Sequence, residues 1–296
     1  MTASVAAGLS GDSGWILTAA TLVVAGLLLA PGWIVGRAAR LAALPSLAVA
    51  PALGSAIIAA AESLAHTLAL PWLPWGWAVI AGLTAVLALM ARLIVGAPPE
   101  HARRAASPGR AEWAILAAGL SVAVALPAGV ILSVLPSPGY PAQAFDATFH
   151  LNAVAAIREG GNASMLGGLS ALYSGRAVYY PTVWHGVVAL APGSPAPVST
   201  AGVLALTAVV WPLSLLGLLA RATGLDATRA SETDRVHRRQ RTCAVAAVLA
   251  FSAAVVGFPL LPMTALAVWP YALSVAGLPG VLVLYDLLRQ ETASWR

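Results

Sequence analysis

The chain has 296 residues, of which 59% are hydrophobic and 9% charged, with a formal net charge of +5. A water-soluble domain carries about a quarter charged residues, so this composition argues against a single aqueous globule. The positive balance does not call for nucleic acid, because all 16 basic residues are arginines that flank apolar stretches, where they orient a membrane chain.

Seven apolar stretches of roughly bilayer-crossing length follow one another, at about 15–36, 41–61, 75–95, 112–134, 199–220, 242–258 and 270–288. A segment in lipid must satisfy its own backbone hydrogen bonds, so each is expected to be a helix, giving an all-α polytopic bundle. Met1 to Ser13 carry no basic segment, and the first stretch reads as retained rather than cleaved. Trp15, Trp72, Trp75, Trp77, Trp113, Trp269 and Tyr285 sit near span ends, the depth that suits amphipathic rings. Pro45, Pro51 and Pro212 fall inside spans and predict kinks.

Orientation follows from the arginines. With the N-terminus outside, Arg37, Arg40, Arg92, Arg103, Arg104, Arg110, Arg221, Arg229, Arg235, Arg238, Arg239, Arg241, Arg289 and Arg296 are cytoplasmic. Of the 16 arginines, that leaves two outside, Arg158 and Arg176. The expectation is a multi-pass plasma-membrane protein with its C-terminus in the cytoplasm. Cys243 is the one cysteine and has no internal partner. No P-loop, GxGxxG or HExxH pattern is present.

The connection over residues 135–198 is then extracytoplasmic and holds the plausible chemistry. Asp146 to Glu159 contain no helix breaker, and Gly160-Gly161 make a natural stop. On that helix Asp146 and His150, four apart, share a face, while Phe149, Leu151, Val154 and Ile157 suit a membrane surface or the bundle. Asp146 also suits a helix N-cap, and His150 a structural pair with it. Further on, Pro181 favours a new helix bearing Trp184 and His185. Tyr179, Tyr180 and Trp184 read either as an interfacial anchor or as a sugar platform. Arg176 suits phosphate or carboxylate. Glu62 and His66, also four apart at the outer end of the second span, read either as a solvated helix end or as facing the same cavity, with the solvated end preferred, and Asp286 as non-catalytic.

The segments Phe145-Asp146-Ala147-Thr148-Phe149-His150-Leu151-Asn152 and Tyr179-Tyr180-Pro181-Thr182-Val183-Trp184-His185, with Trp269-Pro270-Tyr271 later, resemble an uncharacterised family of large actinobacterial membrane proteins. That family in turn is similar to the GT-C membrane glycosyltransferases. The resemblance implies transfer of sugar from a polyprenyl-phosphate donor to a glycan or lipid acceptor in the cell envelope. It makes Asp146 the general base, assisted by His150 and His185. Arg176 and Arg158 would hold the donor phosphate, and Tyr180 and Trp184 the substrate. It also divides the chain into an added three-span bundle, residues 1–111, and a GT-C-like segment, residues 112–296. That segment is expected to be shortened at its C-terminal end. A carboxylate near a low-dielectric surface is a better base near neutral pH, which gives the Asp146 role a physical footing.

No cofactor is implied. Two other readings compete. One is a non-catalytic membrane protein, a transporter or an envelope-assembly partner. The other is a divalent metal held by Asp146, His150 and His185.

Overall fold

A computed structural model describes residues 11–96, 108–137, 139–225 and 232–294. The fold is all-α, and among the described residues the only β feature is an isolated bridge between Leu166 and Tyr179. Residues 1–10 and the arginines expected inside at positions 103, 104, 229 and 296 lie outside the described residues.

Four long apolar helices come first: α1 (Gly11–Ala38), α2 (Ala43–Thr67), α3 (Trp72–Val95) and α4 (Arg110–Val134). The loop layer then contributes α5 (Phe145–Gly160) and α6 (Val183–Leu190). The fifth span is continuous from Pro195 to Ala222: α7 (Pro195–Leu204), a π-helical stretch (Ala205–Val210) and α8 (Trp211–Ala222). Next come α9 (Glu232–Ala253), a short helical piece leading to α10 (Leu261–Met263), and finally α11 (Trp269–Ser294). Among the described residues, six helices are long and apolar enough to cross a membrane, and seven if the pair bent by 50° between α9 and α10 is one span. The protein is a multi-pass membrane protein.

The sixth span differs most from expectation. Its helix runs Glu232–Ala253 rather than beginning near residue 242, and one of the charges in that extension is buried. Arg238 is buried, pairs with Glu112 of α4 at 3.1 Å, and donates to the Leu225 carbonyl at 2.9 Å. The far end bends ahead of Pro259, which lacks the N–H that a straight helix would use.

Helix α2 is the centre of the bundle. Lipid gives no hydrophobic drive between helices, so close backbone approach at small residues does the packing. A Cβ added to Gly32 of α1 would lie 2.2 Å from the Ala50 carbonyl oxygen, and one added to Gly54 would lie 2.2 Å from that of Leu28. Gly217 of α8 and Gly280 of α11 press on the other sides of α2 in the same manner, 2.4 Å from Leu44 O and 2.6 Å from Ala48 O. The Ser214 hydroxyl lies 3.2 and 3.1 Å from the carbonyls of Ala48 and Ala276, joining α8 to α2 and α11. Helices α1 and α2 pack on α7, α8 and α11 as well as on each other. By contrast, most of α3 is exposed.

Gly54→Val is expected to destabilise the bundle by about 1–3 kcal/mol, because the branched side chain meets backbone rather than a movable side chain. Thermal unfolding in detergent checks this. Gly129→Val on α4 is the control, since a Cβ there meets nothing within 4 Å.

The two ends of the bundle differ in chemistry. At one end Arg40 donates to the Gly96 carbonyl, and Arg221 pairs with Asp286 at 3.0 Å. At the other lie α5, α6 and the connections around them. The expected interfacial aromatics divide accordingly. Trp15, Trp75, Trp77, Trp113 and Tyr285 are exposed, whereas Trp72 and Trp269 are corrections: both are interior, held under the loop layer.

Candidate functional site

Helix α5 stops where the two glycines predicted, with Gly161 in the left-handed conformation at φ 65°. Its N-cap is Ala144, which offers no side-chain cap, so Asp146 stands in the first turn instead of capping the helix. A carboxylate there faces the positive end of the helix dipole. Asp146 is half-buried and makes no hydrogen bond or ion pair among the described residues. Ala147, His150, Ala153, Val154 and Ile157 form the buried face of α5.

The second motif starts α6 as expected, with Pro181 and Thr182 just ahead of Val183. Trp184 and His185 both point inward and are fully buried. His150 Nδ1 and His185 Nε2 are 2.8 Å apart, so a side-chain hydrogen bond joins α5 to α6. The partner of His150 is therefore His185, and the anticipated pairing with Asp146 is replaced by a longer-range electrostatic influence.

Aromatic rings close around this pair. Trp269 packs on Trp184 at 4.6 Å and on His150 at 5.1 Å between ring centroids. Tyr180 meets His185 edge-on at 5.6 Å and Phe149 at 5.2 Å. Both imidazoles are held neutral. Burial pushes His150 down to about 4, against the raising effects of Asp146 and the Ala267 backbone. Burial pushes His185 down to about 3, with His150 adding to the effect and the Thr182 backbone opposing it. Its Nδ1 has no hydrogen-bond partner. Burial, then Tyr173 and Asp146, raise Tyr180 to about 12, so it stays a neutral donor.

The two external arginines have different surroundings. Arg158 donates to the carbonyls of Ala189 at 3.0 Å, Ala191 at 2.6 Å, and Gly193. These are the orphan acceptors at the end of α6 and just beyond, so its guanidinium clasps the end of that helix. Arg176 is exposed beyond the 3-10 turn Ser170–Tyr173. Trp184, with no open face, is a wall of the core rather than a platform, while Tyr179 is largely exposed. Asp146, His150 and His185 do not converge as ligands: among the described residues no group of three or more His, Cys, Asp and Glu is placed to hold a metal ion.

A cavity of about 730 Å³ opens beside this cluster, between the loop-side ends of α4 and α7, helix α5 and the start of α11. Its walls are mostly apolar, including Ile131, Leu135, Leu151, Val203 and Met263, and Trp269 forms part of them. Ser199 also lines it, with a buried hydroxyl that has no partner. The ring of Trp269 thus separates the groove from the histidine pair.

Glu62 is the candidate that sequence reasoning placed second to a solvated helix end. It is not a solvated helix end but only 1% exposed. Its Oε2 accepts a hydrogen bond from the Thr182 hydroxyl at 3.0 Å, and its Oε1 has no donor. The spacing to His66 was the available signal. The covering layer of α5 and α6 was not readable from periodicity along α2.

Residues 25–296 match the profile of a family of unknown function, DUF6541, and the chain belongs to that family. The match spans both motif segments and carries no activity with it. No curated protein and no solved structure matches the chain.

Proposed function

We propose that this member of DUF6541 is a membrane enzyme whose loop end transfers sugar from a polyprenyl-phosphate donor to a glycan or lipid acceptor of the cell envelope. In this reading the loop end faces outward at the plasma membrane, and the arginine-rich end, with the C-terminus, lies in the cytoplasm. One observation carries the proposal. An apolar groove of about 730 Å³ runs up to Trp269, whose ring also packs on His150, one helical turn from Asp146. A lipid chain and a reacting polar group thus have adjoining places, which is the arrangement a lipid-linked sugar needs.

The step assigned to Asp146 is general base catalysis. Its carboxylate takes the proton of an acceptor hydroxyl as that oxygen bonds to the anomeric carbon. The anomeric bond to phosphate oxygen breaks, and polyprenyl phosphate leaves. Arg176, exposed and close in sequence to Tyr180, is the cation assigned to the departing phosphate. Buried His185 acts as a positioning residue through His150, and Tyr180 supplies a neutral hydroxyl beside the base.

The test is Asp146→Asn in purified full chain reconstituted in liposomes, given a radiolabelled mannosyl polyprenyl phosphate and lipid extract as acceptor. Label transfer is expected to fall at least about a hundredfold with protein level and melting temperature unchanged. Equal transfer by both proteins, or none by the unaltered chain with any polyprenyl-linked sugar offered, overturns the assignment.

A second reading, a non-catalytic envelope-assembly partner, is favoured by one feature. Phe145 and Tyr179 are 95% and 70% exposed on the loop layer, large apolar surfaces of the kind that dock against another protein. Loss of assembly in Phe145→Ser, with Asp146→Asn silent, would select this reading.

A further inference from the structure

The end of the bundle opposite the loop layer holds a cavity of about 770 Å³, between the last turn of α8, the first half of α9 and α11. Arg221, Arg241, Asp286 and Gln290 contribute its polar half, Leu218 and Leu282 its apolar half. Helices α8 and α11 both run toward this end. Leu218 and Leu282, three and four residues ahead of Arg221 and Asp286, therefore stand about one turn deeper in their spans. Tyr285, beside Asp286, is 61% exposed, at the depth where an amphipathic ring meets lipid headgroups. The cavity thus runs from headgroup level into the apolar layer.

The charges constrain what it takes. Arg221 Nε donates to Asp286 at 3.0 Å and its Nη2 to Gln290 at 2.7 Å. Gln290 in turn donates to the same Asp286 oxygen at 3.0 Å, so the carboxylate is engaged within the wall. Arg241 is exposed, and its one hydrogen bond among the described residues is a long one, 3.3 Å to the Thr223 carbonyl. A guanidinium has five N–H donors, so most of this group's capacity stands unspent beside the cavity. Two arginines and one aspartate give the lining a net charge of +1. A phosphodiester carries one negative charge and balances it. A zwitterionic headgroup would bring a second cation to the arginines. A free phosphate, with more charge than the lining matches, would leave the apolar half empty.

We infer that this cavity is a binding site for an anionic phospholipid. The phosphodiester lies on Arg241 and Arg221, and the start of an acyl chain lies against Leu218 and Leu282. The site is at the far end from the loop layer and stands independently of the glycosyl-transfer reading. Lipid held there touches α8, α9 and α11 together, so binding stabilises the folded bundle.

The experiment places the full chain in nanodiscs of phosphatidylcholine, with and without phosphatidylglycerol, and follows melting temperature and, by native mass spectrometry, retained lipid. A nanodisc offers the same lipid to both leaflets, so the result does not depend on which way the chain faces. Phosphatidylglycerol is expected to raise the melting temperature of the unaltered chain and to remain bound to it. Arg241→Gln keeps an N–H donor and removes the cation, so it is expected to bind this lipid about tenfold more weakly. Arg239→Gln removes an exposed arginine of the same helix outside the cavity, and is expected to bind as the unaltered chain does. Leu282→Trp crowds the apolar half from an exposed position and is expected to weaken binding with both arginines intact. It serves on its own where Arg241→Gln fails to fold. No stabilisation by phosphatidylglycerol overturns the inference. Equal losses in Arg241→Gln and Arg239→Gln also overturn it, since they would mean diffuse attraction to a basic surface. Equal stabilisation of the phosphatidylcholine-embedded chain by inorganic phosphate would do so too, by making the ligand a free anion.

Discussion

Replacing His185 by alanine is expected to destabilise the protein by about 3–5 kcal/mol, the largest effect of any single substitution in the loop layer. The ring is fully buried and contacts the rings of His150 at 5.0 Å, Trp184 at 5.3 Å and Tyr180 at 5.6 Å. Truncation opens a cavity among aromatics that cannot collapse onto it. It also strips His150 Nδ1 of its hydrogen-bond partner inside the core, which adds the cost of an unsatisfied buried group. Unfolding in detergent gives the stability change, and limited proteolysis between residues 145 and 190 shows where it acts. Faster cleavage confined to that segment is the expected pattern. A variant as stable as the parent would mean that the histidine bond does not hold α5 to α6.

Acid is expected to produce a comparable loss without any mutation. Both histidines sit below their ordinary value of 6.5 in the folded protein, at about 4 for His150 and about 3 for His185. The unfolded chain therefore binds protons first as the pH drops. Stability is full above about pH 6.5 and declines as the pH falls through the window toward the folded values. Each histidine contributes at most about 1.4 kcal/mol per pH unit there. Melting temperature should fall steadily between pH 7 and pH 4.5. The slope should be about half as steep in His185→Phe, which keeps a ring in place and removes one titrating group. A flat profile for the unaltered chain, or the same slope in both proteins, would contradict the neutral buried pair.

Much of the architecture was legible because lipid imposes one rule on every span. Charge-free runs, the Gly160-Gly161 stop and Pro181 placed six of the helices and both loop-layer helices close to where they lie. The sixth span was drawn too short at its charged end, where Arg238 is satisfied by tertiary partners. Arg238 with Glu112 is a pair between α9 and α4 that no local window contains.

The site was legible in parts. The two motifs named His150 and His185, but their mutual hydrogen bond joins residues 35 apart, and only packing sets it. Arg158 and Arg176 look alike in the sequence, yet the first reaches the carbonyls that end α6 while the second faces solvent. Glu62 was misread for the opposite reason. Helix ends in membrane proteins are commonly wet, and here another layer lies on top.

The glycine contacts around α2 limit how this protein can change shape. A helix gripped backbone-to-backbone by three neighbours can neither slide nor turn about its axis without breaking several close contacts at once, so it behaves as a fixed mast. Motion that admits a bulky substrate has to come from the periphery. The largely exposed α3 is the helix with most room to move, while Glu62 and the layer resting on it keep their station.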